Sequence, residues 1–221
     1  MAFSPFRPAR IAEAGRSKGE AELGGVLVHG RYRTPEEMIY LASRLDPGGR
    51  LNLNIRWTAP SAGHDRSWYP GLFMDPVETN EPALTQAIRV IDNARERATE
   101  SGRIDPAHMV MMGFSQGACL TVEYALRHPG KCRTLVVLTG GLFGPSGTEW
   151  QGTRGMLAGT RVFITGSDVD EWIPEPRVHE TARVLEDFGA AVEVRIYAGR
   201  KHEVSDAELI EAGEFIKKAQ T

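Results

Sequence analysis

The sequence predicts an α/β fold: a doubly wound, mainly parallel sheet with helices on both faces. Three observations lead there. Short apolar runs alternate with longer amphipathic stretches from about residue 21 onward, and strand–helix alternation of this kind builds a parallel sheet. The runs, such as 23–29 (LGGVLVH) and 134–138 (TLVVL), are continuous rather than strictly alternating, as in strands covered on both faces. A chain of 221 residues also buries most of its apolar surface in one core without disulfides or metal.

Residues 1–20 are polar and broken by Pro and Gly, which fits a loose arm or a short edge strand; 21–221 then form one domain. Residues 23–29 are a buried strand and 34–45 (TPEEMIYLASRL) a helix. Thr34 is its N-cap, Pro35 its first helical residue, and Glu37 completes a capping box. The next strand is 51–57 (LNLNIRW). A long loop, 58–79, follows, rich in Pro, Gly and aromatics; loops of that length in compact domains are often functional. Residues 80–101 form an amphipathic helix with Leu84, Ile88 and Ile91 on one face. Then come a strand at 108–113, a helix at 116–127, a strand at 134–138 and a Gly-rich loop at 139–155. A strand at 161–165, a helix from about 176 to 188, a strand at 192–197 and a helix at 206–218 complete the chain.

Composition narrows the function. With 41% hydrophobic residues, 25% charged residues and a net charge of −3, nothing marks a nucleic-acid-binding face. No run approaches the roughly 20 apolar residues of a membrane span, and residues 1–17 have no apolar core of a signal peptide. A soluble, cytoplasmic protein is the expectation. Cys119 and Cys132 form neither a disulfide framework nor a metal site, and Cys119 lies in an apolar helical stretch as a buried thiol.

The chemistry centres on Gly113-Phe114-Ser115-Gln116-Gly117. This G-x-S-x-G follows the run Met109-Val110-Met111-Met112 and precedes Ala118-Cys119-Leu120-Thr121-Val122, the strand–turn–helix setting of a nucleophile elbow. The turn raises the Ser115 hydroxyl at a helix N-terminus, whose dipole favours developing negative charge. A serine needs a base, and in such sheets the partners follow in the order Ser, acid, His. Of His29, His64, His108, His128, His179 and His202, only the last two come late enough. His179 falls inside a helix; His202 lies in a loop between the last strand and the last helix, which makes it the base. The acid belongs in the loop Gly166-Ser167-Asp168-Val169-Asp170-Glu171-Trp172-Ile173-Pro174. Spacing alone does not separate Asp168 from Asp170.

The chain resembles the phospholipase/carboxylesterase family of α/β-hydrolases, which includes acyl-protein thioesterase-like and dienelactone-hydrolase-like esterases. The matching pieces are Val28-His29-Gly30, Ala59-Pro60, Gly113 to Gly117, Asp170-Glu171-Trp172-Ile173-Pro174, and Gly199-Arg200-Lys201-His202-Glu203. The resemblance implies that Asp170 is the triad acid, since Asp-x-x-Ile-Pro is similar to the family's Asp-x-x-Val-Pro, and that Asp168 shapes the loop. It implies an oxyanion hole made by the backbone N–H groups of Arg31 and Gln116, with His29 structural. It also implies a fold without a lid domain, so loops would build the pocket. Trp57, Trp68, Tyr69 and Phe73, with Met74, would line one side; Leu142, Phe143 and Trp172 the other. Two departures from the family stand out. Arg31-Tyr32 replaces the Leu-Gly that many thioesterase-like members carry after His-Gly, and Arg200-Lys201 is bulky and basic.

These residues describe a carboxylesterase acting on small to medium carboxylic esters through an acyl-enzyme, with no cofactor and no metal. A thioesterase or lysophospholipase could use the same triad. A non-catalytic binding protein of this fold is the rival from another class, although such proteins usually lose the serine or histidine. The exposed Trp/Tyr loop could equally serve a homodimer interface.

Overall fold

A computed structural model of the chain describes residues 10–63, 65–100, 104–105 and 108–220. Among the described residues, seven strands form one sheet in the order β1-β3-β2-β4-β5-β6-β7. Here β1 is Ile11–Gly15, β2 Leu23–Val28, β3 Ile55–Pro60, β4 Met109–Phe114, β5 Thr134–Leu138, β6 Arg161–Gly166 and β7 Ala191–Ile196. The edge strand β1 runs antiparallel to β3, and every other pair is parallel. The predicted arm thus contributes an edge strand over 11–15, while residues 1–9 lie outside the described ones.

Helices α2 (Ala83–Thr99), α3 (Gln116–Arg127) and α4 (Glu175–Asp187) cover one face; α1 (Pro35–Ser43) and α5 (Asp206–Lys218) cover the other. The strands feed both layers. Along β4, Met109 and Met111 enter the α2/α3/α4 layer, while Val110, Met112 and Phe114 enter the α1/α5 layer, as the period of two requires. Leu84, Ile88 and Ile91 of α2 are all buried, each contributing about 1.5–3 kcal/mol relative to exposure. Helix α1 starts as its sequence predicts: the Thr34 side chain accepts from Glu37 N–H, and the Glu37 carboxylate accepts from Thr34 N–H at 2.8 Å.

Two elements are displaced by three or more residues from the sequence expectation. Strand β3 begins at Ile55 and runs to Pro60, with all six residues buried, whereas 51–54 form a link in which Asn52 has φ +50° and Asp46 accepts from Leu51 N–H. Helix α2 begins at Ala83, after a separate 3-10 turn over Val77–Asn80, and the Asn80 side chain serves the long loop. It accepts from Gly71 N–H at 2.8 Å and donates to Leu72 O at 2.9 Å, closing the long loop. Ser101, the predicted end of that helix, is outside the described residues.

Chain order reverses direction across the sheet at β2, whose neighbours are β3 and β4. Crevices at the carboxyl ends of strands flanking such a switch point are where open α/β sheets bind ligands. The loops after β2 and β4 meet there. Among the described residues, no helix is long and apolar enough to cross a membrane.

Candidate active site

Ser115 sits between the last residue of β4 and the first of α3, with φ +54° and ψ −120°. A non-glycine residue in that region carries strain that the surroundings must hold in place. The holding is visible at both flanking glycines. A methyl group on Gly113 would lie 2.3 Å from Gly117 O, and one on Gly117 would lie 2.1 Å from Val28 O. The elbow is therefore pressed against the end of β2, which places the His29-Gly30-Arg31 turn beside the serine. The Cα of Gly30 is so close that an added Cβ would stand 3.3 Å from Ser115 Cβ.

The Ser115 hydroxyl donates to His202 Nε2 at 2.8 Å. On the other side of the ring, Nδ1–H donates to Asp170, at 2.8 Å from Oδ2 and 3.1 Å from Oδ1. The Asp170 side chain is fully buried, and that of His202 keeps 16% exposure. Asp170 Oδ1 also accepts from Trp172 N–H (2.8 Å) and Ile173 N–H (2.9 Å). Burial alone would raise the Asp170 pKa, but the bonds from His202, Ile173 and Trp172 outweigh it and hold the carboxyl below its usual value. Asp168 points elsewhere, accepting from Gly199 N–H at 2.7 Å, so it shapes the loop. The ring of Phe114 lies 5.3 Å from the His202 ring.

His29 is wholly buried. Its Nδ1–H donates to Gly30 O at 2.7 Å, and its Nε2 accepts from Ala62 N–H at 3.0 Å. Burial lowers its pKa, so the neutral ring serves as a structural pin. His179 is on α4, paired with Glu175; His64 is outside the described residues. The thiol of Cys119 is buried and its pKa is pushed up to about 12, which leaves it inert. Among the described residues no cluster of three or more His, Cys, Asp or Glu could hold a metal ion.

Two side chains have roles that their local sequence context does not signal. Gln116 accepts from Trp68 N–H at 2.9 Å and donates to Tyr69 O at 2.9 Å, fastening the long loop to the elbow. Arg31 donates to the carbonyls of Tyr69, Pro70 and Gly71, so its guanidinium is a strap on that loop rather than a solvated cation. The backbone of Arg31 and of Gln116 lies on the two turns that meet beside Ser115, one after β2 and one at the start of α3.

The expected pocket walls need correction. Trp57 is not on the loop side at all: it lies over Gly25 of β2 in the core layer beneath α1 and α5, where a Cβ on Gly25 would strike its ring at 2.1 Å. The other two groups do not face each other across a gap. The Tyr69 ring packs edge-on against Phe143 with centroids 4.8 Å apart, and Gly144 N–H donates to Phe73 O at 2.8 Å. Leu142 is buried with them. Trp68 is buried against His29, donating from Nε1 to His29 O at 2.8 Å. Only Trp172 stands free, 60% exposed.

The sequence profile of the phospholipase/carboxylesterase family matches residues 54–220. The chain belongs to the phospholipase/carboxylesterase family. A crystal structure of a phospholipase/carboxylesterase from Dyadobacter fermentans DSM 18053 shares 33% identity and superposes with a TM-score of 0.81, over 94% of this chain and 96% of that one. Acyl-protein thioesterase 1 of Saccharomyces cerevisiae is 24% identical over 213 residues, which span 88% of this chain and 91% of the yeast protein. A carboxylesterase from Mesorhizobium loti shares the fold, with a TM-score of 0.72 at 21% identity over 90% of each chain. As a phospholipase/carboxylesterase family member, the protein is a carboxylic ester hydrolase.

Proposed function

We propose that Ser115, His202 and Asp170 are the catalytic triad of a carboxylesterase, within one catalytic domain to which the edge strand Ile11–Gly15 also belongs. The observation that carries this is the unbroken chain of bonds from Ser115 Oγ through both ring nitrogens of His202 to Asp170. His202 Nε2 takes the Ser115 proton as Oγ attacks the ester carbonyl carbon. Negative charge then gathers on the former carbonyl oxygen, and the backbone N–H groups of Arg31 and Gln116, on the two turns that meet beside Ser115, receive it. The bonds to Asp170 keep the Nδ1–H tautomer and stabilise the imidazolium. His202 next gives its proton to the leaving alkoxide, and the alcohol departs. Water, deprotonated by His202, hydrolyses the acyl-enzyme and restores Ser115.

Contact between the Tyr69/Phe73 and Leu142/Phe143 groups supports a small acyl site and hence short to medium esters. Likeness to the yeast thioesterase favours a second reading, in which a thioester is cleaved by the same groups. Hydrolysis of p-nitrophenyl acetate, butyrate and octanoate, beside an acetyl thioester, tests both. Rates highest on acetate or butyrate support the esterase. An optimum at octanoate contradicts the small acyl site, and faster thioester turnover favours the thioesterase.

A further inference from the structure

The loop that carries His202 also carries Arg200, and this arginine turns inward. It is 8% exposed. Its Nη2 donates to Thr139 Oγ1 at 3.0 Å and to Gly166 O at 3.2 Å. Its Nη1 lies 3.7 Å from Glu208 Oε2, and the Tyr197 ring sits 5.5 Å from the guanidinium. Glu208, in the first turn of α5, is wholly buried; one oxygen accepts from the Thr165 hydroxyl and the other from Ser205 N–H at 3.2 Å. Thr139 follows β5 with φ +56°, and its own N–H is bonded to Thr165 O at 3.2 Å. The residue before it, Leu138, accepts from Ser115 N–H at 3.0 Å. The loop bearing the base is thus joined to the backbone of the nucleophile by a short buried path: Arg200, Thr139, Leu138, Ser115.

We propose that Arg200 is a positioning residue for ester hydrolysis, clamping the His202 loop to the ends of β5, β6 and α5 so that Nε2 stays aligned with Ser115 Oγ. It acts through His202 and rests on the triad assignment above. A buried ion pair is a weak device for stability, since desolvation offsets much of its attraction and an apolar pair of similar volume often does as well. What it supplies here is direction. Planar guanidinium geometry fixes hydrogen bonds to two strand ends and an ion pair to α5 at once, whereas apolar packing would let the loop slide. A displacement of about 1 Å at a catalytic group costs on the order of a hundredfold in rate. Burial already raises the Glu208 pKa against the Arg200 charge. In the absence of the arginine that carboxyl can take a proton, so an apolar replacement need not unfold the chain.

The test compares kcat and KM for p-nitrophenyl butyrate, the rate of fluorophosphonate labelling and the melting temperature. It uses wild type, Arg200→Met, Arg200→Lys, Thr139→Val and Ser115→Ala. For Arg200→Met the expected result is kcat lower by about 30- to 100-fold, KM within about twofold and labelling slowed by the same factor as kcat. Arg200→Lys, which keeps the charge, should regain about tenfold. Thr139→Val, which removes one bond and no charge, should lower kcat by about three- to tenfold. A wild-type kcat in Arg200→Met with only a lower melting temperature would overturn the proposal, as would a raised KM at unchanged kcat. If Arg200→Met fails to fold, wild-type kcat in both Arg200→Lys and Thr139→Val would overturn it. Hydrolysis persisting in Ser115→Ala would instead remove the triad assignment beneath it, which the other arms alone would not do.

Discussion

In Asp170→Asn the new amide has only one way to fit. Oδ1 of Asp170 accepts from two backbone N–H groups, of Trp172 and Ile173, so the amide oxygen must take that position. The amide NH2 then occupies the place of Oδ2, 2.8 Å from His202 Nδ1. Two donors cannot face each other there, and the ring must shift its proton to Nε2. That proton now points at Ser115 Oγ, which loses its acceptor. The fold keeps both backbone bonds, so the melting temperature should move little, while kcat on p-nitrophenyl butyrate should fall about 10⁴-fold, the size of effect seen when a triad carboxylate becomes an amide. At 1.36 kcal/mol per decade that is about 5 kcal/mol of transition-state stabilisation. Asp168→Asn can keep its bond from Gly199 N–H and should stay within about tenfold of wild type. Asp170→Asn within that same tenfold, or Asp168→Asn as the worse variant, would refute the reasoning.

Three further outcomes follow from the same geometry. Gly117→Ala forces a methyl group against Val28 O and His29 O and should cost about 3 kcal/mol, lowering the melting temperature by about 6–12 °C; an unchanged melt would show that the elbow is not pressed against β2. Gln116→Ala strands the buried N–H of Trp68, at about 1–3 kcal/mol for a group left unpaired, while the Tyr69 carbonyl keeps its bonds from Arg31 and Ser67; a urea midpoint equal to wild type would deny the fastening. His29 is held neutral in the fold, burial lowering its pKa, whereas the unfolded chain binds a proton near pH 6.5. Below that pH the unfolded state takes up more protons, so stability should fall as the pH drops from about 6.5 toward the lowered folded value, and stay level above it. Urea midpoints from pH 7.5 to 5 should show this slope in wild type and lose it in His29→Gln; equal slopes would contradict the role.

Much of this was legible in the sequence because the signals were local. Thr34, Pro35 and Glu37 define a helix start through bonds within four residues, and the α1 cap forms as the pattern says. The strand–turn–helix context of Ser115 and the chain order of histidine and acid likewise need no knowledge of distant contacts. The misses share the opposite property. Trp57 and Gly25 are neighbours only because β2 and β3 pair in a particular register, so the indole could not be assigned to a core layer from its position near a loop. Arg31 and Arg200 look like surface cations in the sequence, yet each finds carbonyl, hydroxyl or carboxylate partners far along the chain, Arg31 at 69–71 and Arg200 at 139, 166 and 208. Periodicity does not report where loop side chains point, and apolar composition does not say whether two loops stand apart or pack together.

The most direct test of the central claim is the intact mass and peptide map of the protein after reaction with a fluorophosphonate, for wild type and Ser115→Ala. The expected result is one phosphonyl adduct on the peptide containing Ser115 in wild type, parallel loss of esterase activity, and neither label nor activity in the variant. Label on another residue, or activity surviving in Ser115→Ala within about tenfold of wild type, would contradict the assignment of Ser115 as the nucleophile.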